Sequence, residues 1–271
     1  MSVLLLRIGG PIQSWGDSSS YDVRKTNLYP TKSGIVGLLA AACGRGREEP
    51  IDDLASLKYG FRIESQGIEI VDYQIVSHME KPKPNPELSD FFNRGKTVQL
   101  YKHYLADAVF LVGIEGEELL IHQLSEALKR PGFHLYAGRR GCPLAVPYNF
   151  GIQGGDLETV LRSYPSVRKV TGINQRFKRN QTETNAPIYI EGTGGVLSTL
   201  KFMKPVTFSK DKKQNSYMYL SQYHPAKLTN SNQSVQETAR WPEVRMDFFK
   251  EVENFNVFIK SEIKSEKEKD H

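Results

Sequence analysis

The chain has 271 residues, which is enough for one large domain or two small ones, each with a real hydrophobic core. Hydrophobic residues make up 39% and charged residues 25% of the chain, as in ordinary globular proteins, and no apolar run reaches the ~18 residues of a membrane helix. The net charge of +5 is modest, so binding of a polyanion depends on where the cations stand.

The cysteines and histidines predict no cofactor and no metal. Cys43 and Cys142 are too few for a disulfide framework and form no CxxC pair, so two buried thiols are expected. The six histidines are scattered and include no HExxH motif. The apolar stretch at 3–9 is too short for a signal peptide, which predicts a cytoplasmic protein without membrane contact.

The first elements along the chain are a strand, a loop and a helix. Residues 3–9 are β-rich and end in a Gly-Gly-Pro turn signal, so they predict a first strand. Residues 11–31 show no periodicity and predict a long functional loop. Apolar residues at helical spacing then predict a helix over 33–43, capped by Thr31 or Ser33.

A short helix over 52–57, four strands and a further helix follow. Residues 59–65 and 68–77 alternate around a Gln-Gly pair and are predicted to form a β-hairpin. Residues 97–104 and 107–114 are predicted to form a second strand pair, followed by an amphipathic helix over 116–129. The residues of this helix predicted to face inward are Leu119, Leu120, Leu124 and Leu128.

The element order strand, helix, hairpin, strand, helix, strand predicts an α+β fold with a ferredoxin-like (RRM-like) sheet. Residues 80–96, rich in Lys and Pro, predict an extruded basic loop. The chain is expected to divide into a first domain at 1–150, a smaller β-rich region at 151–240, and a helical extension with a charged tail at 241–271. The apolar positions of the extension are Val244, Phe248, Phe249, Val252 and Phe255.

One candidate binding segment places an aromatic residue among small polar residues in the first loop. There Trp15 can stack on a base, while Gln13 and Ser14 can hydrogen-bond to the edge of that base. The alternative is that Trp15 caps the hydrophobic core.

A second candidate combines Arg24 and Thr26 with the helix N-terminus at Lys32 and Ser33. Backbone N–H groups at a helix N-terminus favour a phosphate, and Lys32 adds positive charge. The glycines of a Walker A loop are missing, so nucleoside triphosphate binding is not predicted. An ordinary helix cap is the alternative.

Two further candidates are rich in arginine. In Gly138-Arg139-Arg140-Gly141 the glycines allow close approach of a ligand and the arginines suit phosphate geometry, while the alternative is a turn with surface charges. The segment 168–180 contains no acid and is either a nucleic-acid contact or a solvated loop. Its cations are Arg168, Lys169, Arg176, Lys178 and Arg179.

A catalytic alternative rests on the adjacent pair Lys102 and His103. A metal-independent ribonuclease can use a His as general acid or base and a Lys to stabilise the charged phosphorane. Neighbours in a strand point to opposite faces, however, so this pair is not expected to face one phosphate.

The combination of these motifs resembles the CasD family of type I-E CRISPR Cascade subunits. The residues that carry the resemblance stand in the same order as in that family. They are Leu6–Gly16, Arg24 with Thr26, Pro30–Ala42, Tyr104–Phe110 and Tyr136–Leu144.

The resemblance implies a ferredoxin-like domain of the RAMP superfamily with a β-hairpin thumb inserted at about 78–100. It also implies a non-catalytic subunit that caps the 5′ handle of the guide RNA and supports antiviral defence. The implied partners are the guide RNA, CasC-type backbone subunits and a CasA-type large subunit, with target DNA as a further candidate within the complex.

An enzyme alternative comes from the type I-C sister branch, where the corresponding subunit is a metal-independent endoribonuclease that processes the precursor guide RNA. That branch uses Tyr, Lys and His residues, so Tyr29, Lys102 and His103 keep this alternative open.

Taken together, the sequence predicts an RNA-binding site without catalytic residues. Phosphates are expected at Lys32, Ser33, Gly138, Arg139 and Arg140. Base contacts are expected at Gln13, Ser14, Trp15, Arg24 and Thr26, and thumb contacts at Arg94 and Lys96.

Overall fold

The computed structural model describes residues 1–16, 22–77, 97–168, 185–209 and 214–228. Four predicted features lie outside the described residues. They are the thumb tip with Arg94 and Lys96, the basic residues from Lys169 to Arg179, the helix predicted within 241–271, and the charged tail.

The described residues form eleven strands and four helices. The strands are β1 (Ser2–Gly9), β2 (Ile12–Gln13), β3 (Val23–Arg24), β4 (Lys58–Ser65), β5 (Ile68–Ser77), β6 (Thr97–Ala106), β7 (Val109–Gly116), β8 (Asn149–Gly154), β9 (Asn185–Glu191), β10 (Leu197–Thr207) and β11 (Gln214–Lys227). The helices are α1 (Lys32–Ala42), α2 (Asp52–Ser56), α3 (Glu118–Lys129) and α4 (Leu157–Ser163).

A seven-stranded sheet organises most of the described chain, in the order β10-β11-β9-β4-β7-β1-β8, with every neighbouring pair antiparallel. The fold is therefore mixed α and β with a mainly antiparallel sheet. The four strands at one end of the sheet, β8-β1-β7-β4, are connected by α1 between β1 and β4 and by α3 between β7 and β8.

Helices cover both faces of this sheet. Residues Leu4, Leu6 and Ile8 of β1 pack in one cluster with α1 and α3, while Val3 and Leu5 pack in a second cluster with α4 on the opposite face. A strand that is covered on both faces is expected to be apolar nearly throughout, as β1 is. Among the described residues, no helix has the length and apolar character needed to cross a bilayer.

A long two-stranded ribbon projects from the sheet. Strands β5 and β6 pair from Ile68 opposite Ala106 to Ser77 opposite Thr97, and the short strands β2 and β3 pair with β6. The predicted hairpins were therefore wrong in their pairing, although the strands were correctly located, because β4 pairs with β7 and β5 with β6.

The physical reason is that the chain bends at these places instead of reversing. Gly67 has φ +71° and Asp107 has φ +55°, so both strands turn out of the large sheet at the same level and continue in the ribbon. At Gly67 a Cβ atom would lie 2.5 Å from the carbonyl oxygen of Ala106, which explains the glycine.

Other expectations needed smaller corrections. Leu119 is 65% exposed, and Ile121 takes the inward position in α3. Cys43 is exposed at the end of α1, whereas Cys142 is buried as expected. The loop predicted at 11–31 contains β2 and β3, which are too short to show a period in the sequence.

The predicted boundary near 150 falls inside β8, and β9 to β11 extend the same sheet. Hydrogen bonds between β4 and β9 join the two predicted regions directly. The division into folding units thus remains a prediction, while the sheet itself is continuous across it.

Candidate nucleic-acid interface

Segments that are far apart in the sequence meet beside strand β6. We call the set formed by residues 13–15, 24–27 and 136–140, together with β6, the motif junction. The backbone N–H of Ser14 donates to the carbonyl of Ala137 at 3.1 Å, and that of Asn27 donates to the carbonyl of Trp15 at 2.8 Å. The junction thus brings together three of the four candidate segments found in the sequence.

Trp15 lies at the buried centre of this junction. Its side chain is 1% exposed, and its indole N–H donates to Oε1 of Gln13 at 3.0 Å. The ring packs so closely on α1 that a Cβ atom at Gly34 would lie 2.8 Å from it. The alternative in which Trp15 caps the core is therefore what the structure shows, and the ring presents no face to a base.

Gln13 and Ser14 are also buried. The Gln13 amide is fully enclosed, because its Nε2 donates to the carbonyl of Ala108 at 2.7 Å while its Oε1 accepts from Trp15. The Ser14 hydroxyl donates to the carbonyl of His103 at 3.2 Å. These side chains satisfy buried polar groups and fix the position of the loop.

Thr26 holds the next segment against the same loop. Its hydroxyl oxygen accepts from the backbone N–H of Trp15 at 2.8 Å and donates to the carbonyl of Asn27 at 3.0 Å. The amide of Asn27 also donates to the carbonyl of Trp15 at 2.9 Å. Arg24, two residues earlier, is thereby brought to the surface of the junction.

Gly138 allows the turn at 136–143 to approach the loop. Its φ is +87°, and a Cβ atom there would lie 1.8 Å from the carbonyl oxygen of Ser14. The turn is closed by hydrogen bonds from Ala137 to the carbonyl of Cys142 and from Cys142 to the carbonyl of Arg139, both 2.9 Å. The glycine of this motif is thus required by the packing of protein on protein.

Arg139 links the turn to the rest of the junction. Its guanidinium donates to the carbonyl of Arg24 at 2.8 Å and to that of His103 at 3.3 Å. Its Cζ atom lies 5.2 Å from the centroid of the Tyr104 ring, which is a cation–π distance. Part of its hydrogen-bonding capacity is therefore used inside the protein, although the side chain remains partly exposed.

Exposed cations lie on the solvent side of these buried residues. Arg24, Lys25 and Arg140 are exposed. In the parallel register of β3 and β6, the backbone of Arg24 lies beside that of Lys102. We call the surface formed by Arg24, Lys102, Arg139 and Arg140 the basic face. On the other edge of β6, Asp72 of β5 stands opposite Lys102 in the strand register. The face is therefore cationic, with the Asp72 carboxylate at its border.

Lys32 lies elsewhere and is already paired. Its side chain is 2% exposed, and its Nζ donates to Oε2 of Glu191 at 2.6 Å. Burial lowers the pKa of Lys32, and the neighbouring Glu191 partly offsets this effect. Thr31 caps α1 by accepting from the N–H of Gly34 at 3.2 Å, and the Ser33 hydroxyl lies 3.3 Å from the Thr31 hydroxyl. The helix-cap alternative thus fits these residues.

Arg168, the one described cation of the fourth candidate segment, belongs to a structural group on the α4 face. It donates to the carbonyl of Glu64, and burial lowers its pKa. The carboxylate of Glu64 accepts from Arg62 at 2.5 Å with both side chains fully buried. Arg62 also donates to the carbonyl of Leu161 at 2.6 Å, so this group fastens α4 and the following chain to the sheet.

The three residues of the enzyme alternative make separate contacts. Lys102 donates to Oε1 of Gln74 at 2.5 Å, whereas His103 lies on the opposite face of the ribbon, 2.7 Å from Oε1 of Glu69. Tyr29 stacks on Phe61 of the large sheet, with ring centroids 5.1 Å apart. The opposite directions of Lys102 and His103 agree with the expectation from strand geometry.

An exposed aromatic pair on the ribbon was missed by the sequence analysis as a binding feature. Tyr73 is 49% and Tyr101 39% exposed, and their ring centroids are 5.1 Å apart across the strands. The sequence shows a tyrosine in each of the two strands, but only the register of β5 and β6 places Tyr73 opposite Tyr101. Within the described residues, no group of three or more His, Cys, Asp or Glu is placed to hold a metal ion.

Comparison with known proteins identifies the family. Residues 3–218 match the family model described as CRISPR-associated protein (Cas_Cas5). The chain belongs to this Cas5 family. The resemblance inferred from the motifs is confirmed by a relative, the CRISPR system Cascade subunit CasD of Escherichia coli (strain K12), which is 29% identical over 192 residues, or 65% of this chain and 86% of the relative.

Two solved structures are similar to this Cas5 chain. One, described as a crystal structure of a Cas protein, has a TM-score of 0.62 and 32% identity, and covers 83% of this chain and 95% of its own. The other, from a CRISPR RNA-guided surveillance complex, has a TM-score of 0.66 and 26% identity, and covers 88% of this chain and 97% of its own. The described fold is therefore one found among Cas proteins.

Proposed function

We propose that this chain is the subunit of a type I-E Cascade complex that binds and caps the 5′ handle of the guide RNA without cleaving it. The Cas5 family match and the similarity to the CasD subunit and to a chain of a surveillance complex support this proposal. The observation that carries it is the basic face, where Arg24 and Arg140 are exposed on a framework built by the family motifs. In that role the chain serves antiviral defence in the cytoplasm.

The strand order supports a finer description of the fold. From the order β8-β1-β7-β4, with α1 and α3 as connections, we infer a ferredoxin-like, split βαβ domain. We assign it to the RAMP type, with the β5–β6 ribbon as the base of the thumb. Arg94 and Lys96 would then contact RNA or a neighbouring subunit from the far end of that ribbon.

The chemistry of the basic face suits a single-stranded RNA end. Arginines such as Arg24 and Arg140 can each neutralise a phosphate and bind it in a bidentate manner. The exposed rings of Tyr73 and Tyr101 add a stacking surface on the other face of the ribbon, the face that His103 shares. The buried residues Gln13 and Ser14 act by holding the basic face in shape.

Exposed apolar surface on the ribbon supports assembly with other subunits. The ribbon has apolar side chains exposed on both faces, with Ile75 at 59% and Val76 at 50%. Exposed apolar surface of this kind marks contact sites for protein partners. CasC-type backbone subunits and a CasA-type large subunit are the proposed partners, and target DNA remains a further candidate.

The ribonuclease alternative requires Lys102 and His103 to act on one phosphate together. Their side chains point to opposite faces of the ribbon, and Tyr29 is packed against the large sheet. This geometry favours binding without cleavage.

The test is incubation of the purified chain with a labelled repeat RNA in the presence of EDTA, followed by a denaturing gel and filter binding. We expect intact RNA and preferential retention of a fragment that carries the 5′ handle. One discrete cut that is lost in His103→Ala and kept in His122→Ala, an exposed histidine on α3, would identify the processing enzyme instead.

A further inference from the structure

Four large apolar side chains form an exposed patch at one end of the seven-stranded sheet. Leu200, Phe202, Tyr217 and Tyr219 are 50%, 42%, 65% and 51% exposed. The register places Leu200 opposite Tyr219 and Phe202 opposite Tyr217, and the last two rings have centroids 4.9 Å apart. We call this set the outer patch.

The outer patch lies on the α4 face of the sheet. Tyr219 and Ser221 alternate with Leu220 along β11, and Ser221 pairs with Ile190 of the cluster that α4 covers. The opposite face of the same hairpin is covered, since Met218 and Leu220 are 5% and 3% exposed. Hairpin β10–β11 is therefore apolar on both faces, which is the pattern of a sheet that is buried on both sides.

Within the part of the chain that the structure describes, no element lies over the outer patch. Its exposed area is on the order of a few hundred Å², the size at which an apolar patch on a monomer is often functional. The patch also continues the second core cluster outward from α4. A further apolar element packed on the α4 face would cover the outer patch.

We propose that the chain's own C-terminal extension, residues 240–256, covers the outer patch as an amphipathic helix. The described chain ends at Leu228, which is buried at the end of β11, the strand that carries Tyr217 and Tyr219. The eleven residues from Tyr217 to Leu228 span about 36 Å along the strand. The sixteen residues from Leu228 to Val244 can span more than about 50 Å, so the extension can reach the patch.

The sequence of the extension matches this role. Val244, Phe248, Val252 and Phe255 fall on one stripe of a helix, with Phe249 at its margin. The polar residues Lys250, Glu253 and Asn254 fall on the opposite face. Two phenylalanines on this stripe would meet the rings of the outer patch, where aromatic pairs add to the energy of area burial.

The tether favours the extension over other occupants. A segment joined to the same chain has an effective concentration in the millimolar range when its linker can span the distance. A second copy or another protein would need to compete with it. This inference is independent of RNA binding.

The test is hydrogen–deuterium exchange with mass spectrometry on the full chain, with light scattering to establish that it is monomeric. We expect the amides of residues 244–255 to exchange at least about tenfold more slowly than in a synthetic peptide of the same sequence, because packed helical amides open rarely. Phe202→Lys and Tyr219→Lys should remove this protection. The matched control Tyr73→Lys changes an equally exposed tyrosine on the ribbon and should keep it.

Phe248→Asp should give the same loss of protection without changing the sheet, and circular dichroism should show that the rest of the chain remains folded. Three results would overturn the proposal. They are an extension that exchanges as fast as the peptide, protection that survives both patch variants, and protection that appears only when light scattering shows a dimer or when another Cascade subunit is added.

Discussion

The buried and exposed parts of the motif junction differ in what they contribute, although both were found in the same family motifs. Gln13 and Trp15 are enclosed and bond to the protein itself, whereas Arg24 and Arg140 reach the surface. A motif residue can therefore be required because it builds the binding surface, without touching the ligand. In this chain the aromatic and amide residues support the surface, and the arginines are the residues proposed to bind.

The two parts also differ in their energetics. Removing a buried partner leaves an unsatisfied polar group, which costs about 1–3 kcal/mol of stability, or a cavity, which costs about 2–5 kcal/mol. An exposed arginine contributes little to stability, but it can neutralise one phosphate of a bound strand. Variants of the two parts are thus expected to separate folding from binding.

The largest effect is expected for Gly138→Ala. The new Cβ atom would lie 1.8 Å from the carbonyl oxygen of Ser14 at a φ of +87°, so the turn cannot keep its position. The free energy of unfolding should fall by about 4 kcal/mol or more, measured by denaturant titration. Gly141→Ala is the control, because a Cβ atom there meets nothing within 4 Å, and it should change stability by less than about 0.5 kcal/mol.

An equal and small effect of both glycine variants would mean that the turn does not pack against Ser14. The distinction between buried residues that support the surface and exposed arginines would then fail at the contact between Gly138 and Ser14.

A smaller effect is expected for Lys32→Ala. Glu191 would lose the partner that stands 2.6 Å away, and the free energy of unfolding should fall by about 3 kcal/mol. RNA affinity per folded molecule should remain unchanged, because the ammonium group is buried and paired. Lys25→Ala, an exposed lysine, is the stability control.

Unchanged stability together with a clear loss of RNA affinity in Lys32→Ala would contradict this assignment. It would restore the expectation from the sequence that Lys32 holds a phosphate at the start of α1.

Local patterns in the sequence predicted the positions of most elements but not their partners. The alternation in 59–65 and 68–77 located β4 and β5, yet their pairing depends on bends at Gly67 and Asp107 that no period reveals. The two-residue strands β2 and β3 carry too few residues for a pattern.

The site was predictable to a similar extent. The motifs that form the junction were all identified, because glycines, arginines and an isolated tryptophan stand out in a loop. Whether a residue in such a motif is buried depends on contacts made across more than a hundred residues, as between Arg139 and the carbonyl of Arg24. For that reason Trp15 and Lys32 were expected at the RNA but lie inside the protein.

The most direct test of the account is the salt dependence of RNA binding by three versions of the full chain. They are the unchanged chain, the double variant Arg24→Ala/Arg140→Ala, and Arg47→Ala, which changes an exposed arginine beyond the other end of α1. Filter binding to a 5′-handle RNA gives the slope of log affinity against log salt concentration. The magnitude of this negative slope should decrease by about 1.4 in the double variant, because each phosphate that an arginine no longer neutralises removes about 0.7. In Arg47→Ala the slope should stay unchanged. Equal slopes for the unchanged chain and the double variant, with all three chains equally stable, would contradict the claim that the basic face binds the RNA.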